Sequence, residues 1–348
     1  MEMRTLPGTD ITVSSLCLGT MNFGQQCDEA NSHAQLDYAT ENGINFLDTA
    51  EMYPVPPERE KQGMTEEFIG RWLKKRGNRN DLIIATKVAS RNQARPMRTR
   101  DATRGLDRKS ILEAIDGSLQ RLQVDYVDLY QVHTPDRHAN FFGRRGVENL
   151  DGDDGASIEE TLSTLAEIVA QGKVRAIGVS NETPWGVMEY LRLAREKGLP
   201  KIVTIQNTYG IMGRTFEIGL SEMCLRENIG LLPYSILNRG VISGKYLNGA
   251  KPPGAKFTLW DRDSDRYNAK WFEPVVERYI AVAKKHDLDP VQMAIAFCHS
   301  RAFIPSVIIA ATTLDQLKRD IEAAELTLSP DVLQDIAEVY KLMPDPTA

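Results

Sequence analysis

Eight short apolar runs punctuate this chain, each bounded by polar or turn-forming residues. They read SLCLG (15–19), NFLD (45–48), LIIATK (82–87), YVDLYQVH (126–133), AIGVS (176–180), VTIQN (203–207), GLLPYS (230–235) and SVIIA (306–310). Their uninterrupted, β-branched character is that of parallel strands covered on both faces. Between them the period changes to that of helices. In DRKSILEAIDGSLQRL the apolar positions 111, 115, 119 and 122 make one stripe, and Asp107 is the predicted N-cap. SIEETLSTLAEIV opens on a predicted capping box of Ser157 and Glu160, and Thr313 with Gln316 makes a second after the last strand. SPDVLQDIAEVYKLM predicts a C-terminal helix capped by Ser329, with Pro330 in its first turn.

Eight strands alternating with eight helices predict an α/β fold, a closed (β/α)8 TIM barrel, filling one domain over residues 1–348. The opening MRTLPGTDITVSS predicts an N-terminal hairpin, placed as a plug beneath the barrel, and SPDVLQDIAEVYKLM adds an extra helix at the C-terminus. Three long connections, 54–64, 134–156 and 236–270, all follow strands, which puts them on the C-terminal face where such barrels build their sites.

Composition narrows the function. The chain is 42% hydrophobic and 26% charged, with a net charge of −6 and its bases scattered. Nucleic-acid and membrane surfaces are therefore not expected. Cys17, Cys27, Cys224 and Cys298 stand far apart, as in a reduced protein without disulfides or zinc. His33, His138, His286 and His299 lack metal-ligand spacing, so no metal is expected. The N-terminus shows no signal-peptide pattern and no run approaches about 18 apolar residues. A cytoplasmic monomer is the expectation. The basic stretch RNQARPMRTRDATR (91–104) reads as a solvated loop, and Trp260 and Trp271 as packing anchors that could also close over a ligand.

The strand ends carry the chemistry. They present Asp48 with Tyr53 following, Lys87, His133, Ser180 with Asn181, Gln206 with Asn207, and Tyr234 with Ser235. Any one of these could simply start a turn. In a barrel, however, they converge on one mouth, bringing together an acid, a phenol, an ammonium and an imidazole. A free phenol has a pKa of about 10, and a neighbouring Lys87 ammonium should lower it. Asp48 would keep that ammonium charged, since a lone buried cation is costly. His133 could donate to a carbonyl oxygen as it gains charge. Together these groups describe carbonyl reduction, lacking only a hydride source.

FLDTAEMY, LGTMNFG and YQVHTPD make the chain similar to the aldo-keto reductases over about residues 3 to 343. The resemblance implies Tyr53 as general acid, with Asp48, Lys87 and His133 as partners, acting on a small-molecule carbonyl substrate. It also implies NADPH (NADP+) bound across the barrel mouth without a Rossmann domain; no G-x-G-x-x-G follows a strand here. By the same resemblance Ser180, Asn181 and Gln206 hold the nicotinamide amide, Tyr234 stacks beneath its ring, and Thr20, Met21 and Asp48 lie beside the ribose. Ser235, Leu237, Arg239, Gly240, Gly244 and Lys245 belong to the pyrophosphate segment YSILNRGVISGKY. Lys256 and Gln316 are implied near the 2′-phosphate, and Ala310, Thr312 and Asp320 near the adenosine. Two positions depart from the family pattern. Ala310 replaces a glycine, so backbone there must avoid positive φ or accept strain. Asp320 replaces an asparagine and cannot donate to a ring nitrogen.

Two other functions compete. A redox-sensing regulatory subunit, similar to the potassium channel β subunits, would bind NADPH with little turnover. A Schiff-base lyase would use Lys87 as nucleophile, which the neighbouring Asp48 disfavours by keeping it charged.

Overall fold

The computed structural model describes residues 1–91, 105–140, 146–260 and 269–345. Most of the basic stretch, 92–104, and the side chain of Trp271 lie outside them. Trp260 is half-buried at the end of a short helix.

A hairpin, β1 (Met3–Thr5) and β2 (Thr12–Ser14), leads into eight parallel strands. These are β3 (Leu16–Gly19), β4 (Phe46–Asp48), β5 (Ile83–Val88), β6 (Val127–Val132), β7 (Val174–Ser180), β8 (Ile202–Gln206), β9 (Gly230–Leu231) and β10 (Val307–Ile309). Consecutive strands pair from β3 to β9, and β10 returns to pair with β3. The ring closes because Ile308 N–H donates to Pro233 C=O at 3.2 Å. GLLPYS was expected to be a six-residue strand, yet only two residues join the ladder. Pro233 has no N–H to give, and pairing resumes only as a single bridge from Thr208 to Tyr234.

The helices alternate with the strands. They are α1 (Glu29–Glu41), α2 (Met64–Arg76), α3 (Arg108–Leu122), α4 (Ile158–Ala170), α5 (Pro184–Lys197) and α6 (Leu220–Glu227). The β9–β10 connection differs from the expected alternation. It holds a short α7 (Lys256–Leu259) and two longer helices, α8 (Ala269–Lys285) and α9 (Pro290–His299). After β10 come α10 (Leu314–Glu322) and the C-terminal α11 (Pro330–Leu342).

The caps explain where these helices begin. Asp107 accepts from Ser110 N–H at 2.9 Å, Ser157 from Glu160 N–H at 3.1 Å and Ser329 from Val332 N–H at 3.4 Å. The reciprocal halves of the two expected boxes go elsewhere. Glu160 accepts from Arg108 N–H at 3.2 Å, and Gln316 accepts from Thr312, one residue before the cap.

The inside of the barrel has a clear floor. Cys17, Phe46, Ala85, Leu129, Ala176, Val203, Leu232 and Ile308 give one apolar side chain from each strand or its end. Leu6, Ile11 and Val13 of the hairpin pack onto that layer, so the hairpin plugs the N-terminal end. The outer faces of the strands meet the helices in one large core around Trp72, Tyr130 and Tyr279. None of the helices among the described residues is long and apolar enough to cross a membrane.

Candidate active site

Strand period turns the apolar floor into a polar layer. Two residues beyond Phe46, Ala85 and Leu129, the same inward faces of β4, β5 and β6 carry Asp48, Lys87 and Gln131. His133 follows two residues after Gln131. Tyr53 comes from the loop after β4, where it packs with Ala50, Met52 and Ala89 and keeps only 8% of its surface exposed.

The structure brings the four residues together. The Lys87 ammonium donates to Asp48 Oδ2 at 2.6 Å, to Thr49 C=O at 2.7 Å and to Tyr53 Oη at 3.4 Å. All three of its hydrogens are therefore placed, and the side chain has no exposed surface. Asp48 Oδ1 accepts from Gln206 at 2.8 Å and from Gln131 at 3.3 Å. The Tyr53 and His133 rings meet edge to face, with centroids 5.6 Å apart.

Electrostatics follow from this burial. For Lys87, burial alone would favour the neutral amine, but Asp48 and Tyr53 outweigh it and hold the pKa above its ordinary value. Lys87 is thus a locked cation, unsuited to act as a nucleophilic amine. His133 is driven well below the usual imidazole range, first by burial and then by the Lys87 charge, and so stays neutral. Among the described residues its Nδ1 is buried without a partner, which favours the ring proton on Nε2, since an orphaned N–H would cost more. Tyr53 corrects an expectation. Lys87 does pull its pKa down, but burial pushes harder, and the phenol sits above its ordinary value. The side chain is therefore firmly protonated at neutral pH.

The remaining expected residues form two groups. Near β7, β8 and β9, Ser180 Oγ donates to Gln206 C=O at 2.7 Å, and Asn181 donates to His133 C=O at 2.8 Å. Tyr234 Oη in turn donates to Asn181 Oδ1. Thr20 Oγ1 donates to Asp48 C=O at 2.8 Å, and Met21 C=O accepts from Val55 N–H at 3.0 Å, tying β3 to the tyrosine loop.

The second group lies farther along the rim. Ser235, Asn238, Arg239, Gly240 and Gly244 all have positive φ, at 56°, 48°, 59°, 85° and 77°. Leu237 sits among them, half-buried. Such backbone is rare outside glycine and gathers at ligand clamps. A Cβ on Gly240 would stand 2.7 Å from Lys245 Nζ, so only glycine leaves that ammonium its place. Lys245 pairs with no carboxylate among the described residues. Burial first, then Arg319, hold its pKa down. Among the described residues Arg319 Nε is buried without a partner, while its Nη2 pairs with Asp320 Oδ1 at 3.4 Å. Two crowded cations and a left-handed turn suit an anion such as a pyrophosphate or phosphate.

Asp320 lies beside these cations, only 1% exposed, and burial raises its pKa to about 7. Thr312 donates to Gln316 Oε1 through both N–H and Oγ1 at 3.0 Å, so these two are engaged with each other. Ala310 keeps negative φ, so replacing glycine there brings no left-handed strain. Lys256 is half-buried at the start of α7.

Sequence reading missed Gln131, Thr49 and Glu51. Gln131 was signalled by its position two residues before His133, on the same face. Thr49 acts through its carbonyl, which no side-chain pattern shows.

The chain is similar to known proteins over most of its length. The chain is 51% identical to the protein tas of Escherichia coli over 344 residues, covering 98% of both chains. It is 30% identical to norsolorinic acid reductase A of Aspergillus parasiticus over 95% of this chain and 78% of that one. An aldo-keto reductase of Babesia bovis is 32% identical over 70% of this chain and 89% of its own. The aldo/keto reductase family profile matches residues 15–341, and the chain belongs to that family.

Proposed function

We propose that this protein reduces aldehydes or ketones to alcohols with NADPH, using Tyr53 as general acid. The observation that carries the reading is the Lys87 ammonium fixed between Asp48 at 2.6 Å and Tyr53 Oη at 3.4 Å. NADPH, when bound, supplies the hydride. Tyr53 Oη–H and His133 Nε2–H then both point donors at a carbonyl oxygen. As charge grows on that oxygen, His133 stabilises it without losing its own proton. Tyr53 completes the transfer, and the phenolate left behind is held by Lys87. Asp48 keeps the lysine charged throughout, while Gln206 and Gln131 hold Asp48.

The cofactor reading rests on the crowded cations Lys245 and Arg319 and on the left-handed turn at 238–240. These would hold the phosphates. Ser180, Asn181, Gln206 and Tyr234 would hold the nicotinamide end.

The test is cofactor oxidation across a panel of aldehydes and ketones, with NADPH and NADH run in parallel. The expected result is turnover favouring NADPH. Tyr53→Phe should lower kcat by about 10²- to 10⁴-fold, the usual contribution of a placed acid. Its affinity for NADPH, read by tryptophan fluorescence, should be unchanged. Full activity in that variant would remove Tyr53 from the mechanism. Tight NADPH binding with no turnover on any carbonyl would instead favour the regulatory-subunit reading.

A further inference from the structure

Glu51 is a carboxylate that the reaction above does not use, yet it is buried, with 2% of its surface exposed. Burying an acid is costly unless its oxygens are engaged. Its Oε1 accepts from Ala89 N–H at 2.6 Å, and its own N–H donates to Lys87 C=O at 3.3 Å. These two bonds bracket Val88. They join residue 51 to the end of β5 from both directions, through side chain and backbone. Glu51 lies three residues after Asp48 and two before Tyr53, in the middle of the segment that carries both.

A second buried acid, Glu66 at the start of α2, grips the same strand from outside. Its Oε1 accepts from Thr86 Oγ1 at 2.5 Å and its Oε2 from Arg121 Nε at 2.7 Å. Arg121 also feels the Glu51 charge. The outer grip holds β5 to a helix. The Glu51 grip joins β5 to the loop that carries the phenol, beside the bond from Thr49 N–H to Ala85 C=O at 2.9 Å and the contacts of the Lys87 side chain.

We infer that Glu51 is a positioning residue for proton transfer, clasping the Tyr53 loop to the strand that presents Lys87. The inference rests on the reductase reading for its kinetics, though not for its geometry. Without the Glu51 carboxylate, the loop keeps its backbone bonds from Glu51 N–H to Lys87 C=O and from Thr49 N–H to Ala85 C=O, but loses the side-chain bond that ties it to Ala89 beyond Lys87. The 3.4 Å contact between Lys87 Nζ and Tyr53 Oη is then held less firmly. Burial pushes the Tyr53 pKa up and Lys87 is the largest influence pulling it down, so a looser contact disturbs that balance and shifts the pKa.

The experiment compares Glu51→Ala, which removes the acceptor, with Glu51→Gln, which keeps an oxygen for Ala89 N–H. In Glu51→Ala, kcat should fall at least about tenfold while carbonyl KM and NADPH affinity stay within about twofold. The alkaline limb of kcat should move with the Tyr53 pKa. Glu51→Gln should restore kcat to within about threefold and return the limb to its place. Wild-type kcat in Glu51→Ala overturns the inference, as does a loss that Gln fails to rescue. A second readout needs no turnover. Phenolate absorbance is titrated in wild type and Glu51→Ala, with Tyr53→Phe in each background to isolate Tyr53. A shifted Tyr53 midpoint in Glu51→Ala supports the clasp, and an unchanged midpoint overturns it. Wild type that reduces no carbonyl would defeat the reductase reading alone and leave this titration to decide the clasp.

Discussion

The two ends of the barrel use the same strands for opposite purposes. At the lower end, each strand gives one apolar side chain to the floor, and the hairpin seals it with Leu6, Ile11 and Val13. Two residues higher, the same inward faces present Asp48, Lys87 and Gln131, all buried. The lower layer gains from the hydrophobic effect, at roughly 25 cal/mol per Å² removed from water. The upper layer works against it, because dehydrating an ion pair costs several kcal/mol per ion before attraction repays it. One end therefore stabilises the fold, and the other spends stability on a preorganised site. Placing the two layers on one face, a strand period apart, makes the floor the rigid base of the site.

The largest effect should come from breaking the upper layer. Lys87→Met leaves the Asp48 carboxylate buried and unpaired, so stability in urea should fall by about 3–5 kcal/mol and activity should be lost. Asp48→Asn in the same chain should recover much of the stability and none of the activity. A Lys87→Met variant as stable as wild type would show that the upper layer carries no such cost. The matching change below is Phe46→Ala. A cavity in the floor should cost a similar 3–5 kcal/mol or slightly less, yet the folded fraction should keep its kcat. If kcat falls instead, the floor takes part in catalysis and the two ends are not separable.

A smaller effect concerns pH. Folded His133 titrates well below 6.5, so as pH falls the unfolded chain takes up this proton first. The stability associated with the neutral ring is full above pH 6.5. It should be lost by up to about 1.4 kcal/mol per pH unit as pH falls from there toward the folded pKa. Urea midpoints between pH 7 and pH 5 should show this slope, and His133→Gln should reduce it. The smallest effect is away from both layers. Asp107→Ala removes the cap of α3 and should cost about 1 kcal/mol, seen as a lower Tm with kcat intact.

Much of this was legible because it obeys a period. All the strands except β9 appear at the expected positions within one or two residues, and the inward set follows from alternation once Asp48 and Lys87 are fixed. The cap residues Asp107, Ser157, Thr313 and Ser329 act as read. What the sequence hid depends on distances between elements. The net effect on Tyr53 needed the balance of burial against Lys87. Glu51 looks like any loop acid until its oxygen is seen against Ala89 N–H. Gln316 had two possible backbone partners one residue apart, and only packing chose Thr312. The shortening of β9 was open to inference from Pro233, since a strand that lacks a donor cannot continue its ladder.

That shortened strand shapes how the whole ring behaves. The other seams are ladders, with one register shift between β7 and β8 at Ile177 and Gly178, whereas β9 and β10 are joined by isolated bonds such as Ile308 N–H to Pro233 C=O. Local opening should start where the fewest bonds must break together. The segment from Tyr234 to Lys245 springs from this same gap. A molecule lying along it would work as a buckle on a belt, and slower hydrogen exchange at the Ile308 amide would record the belt being fastened.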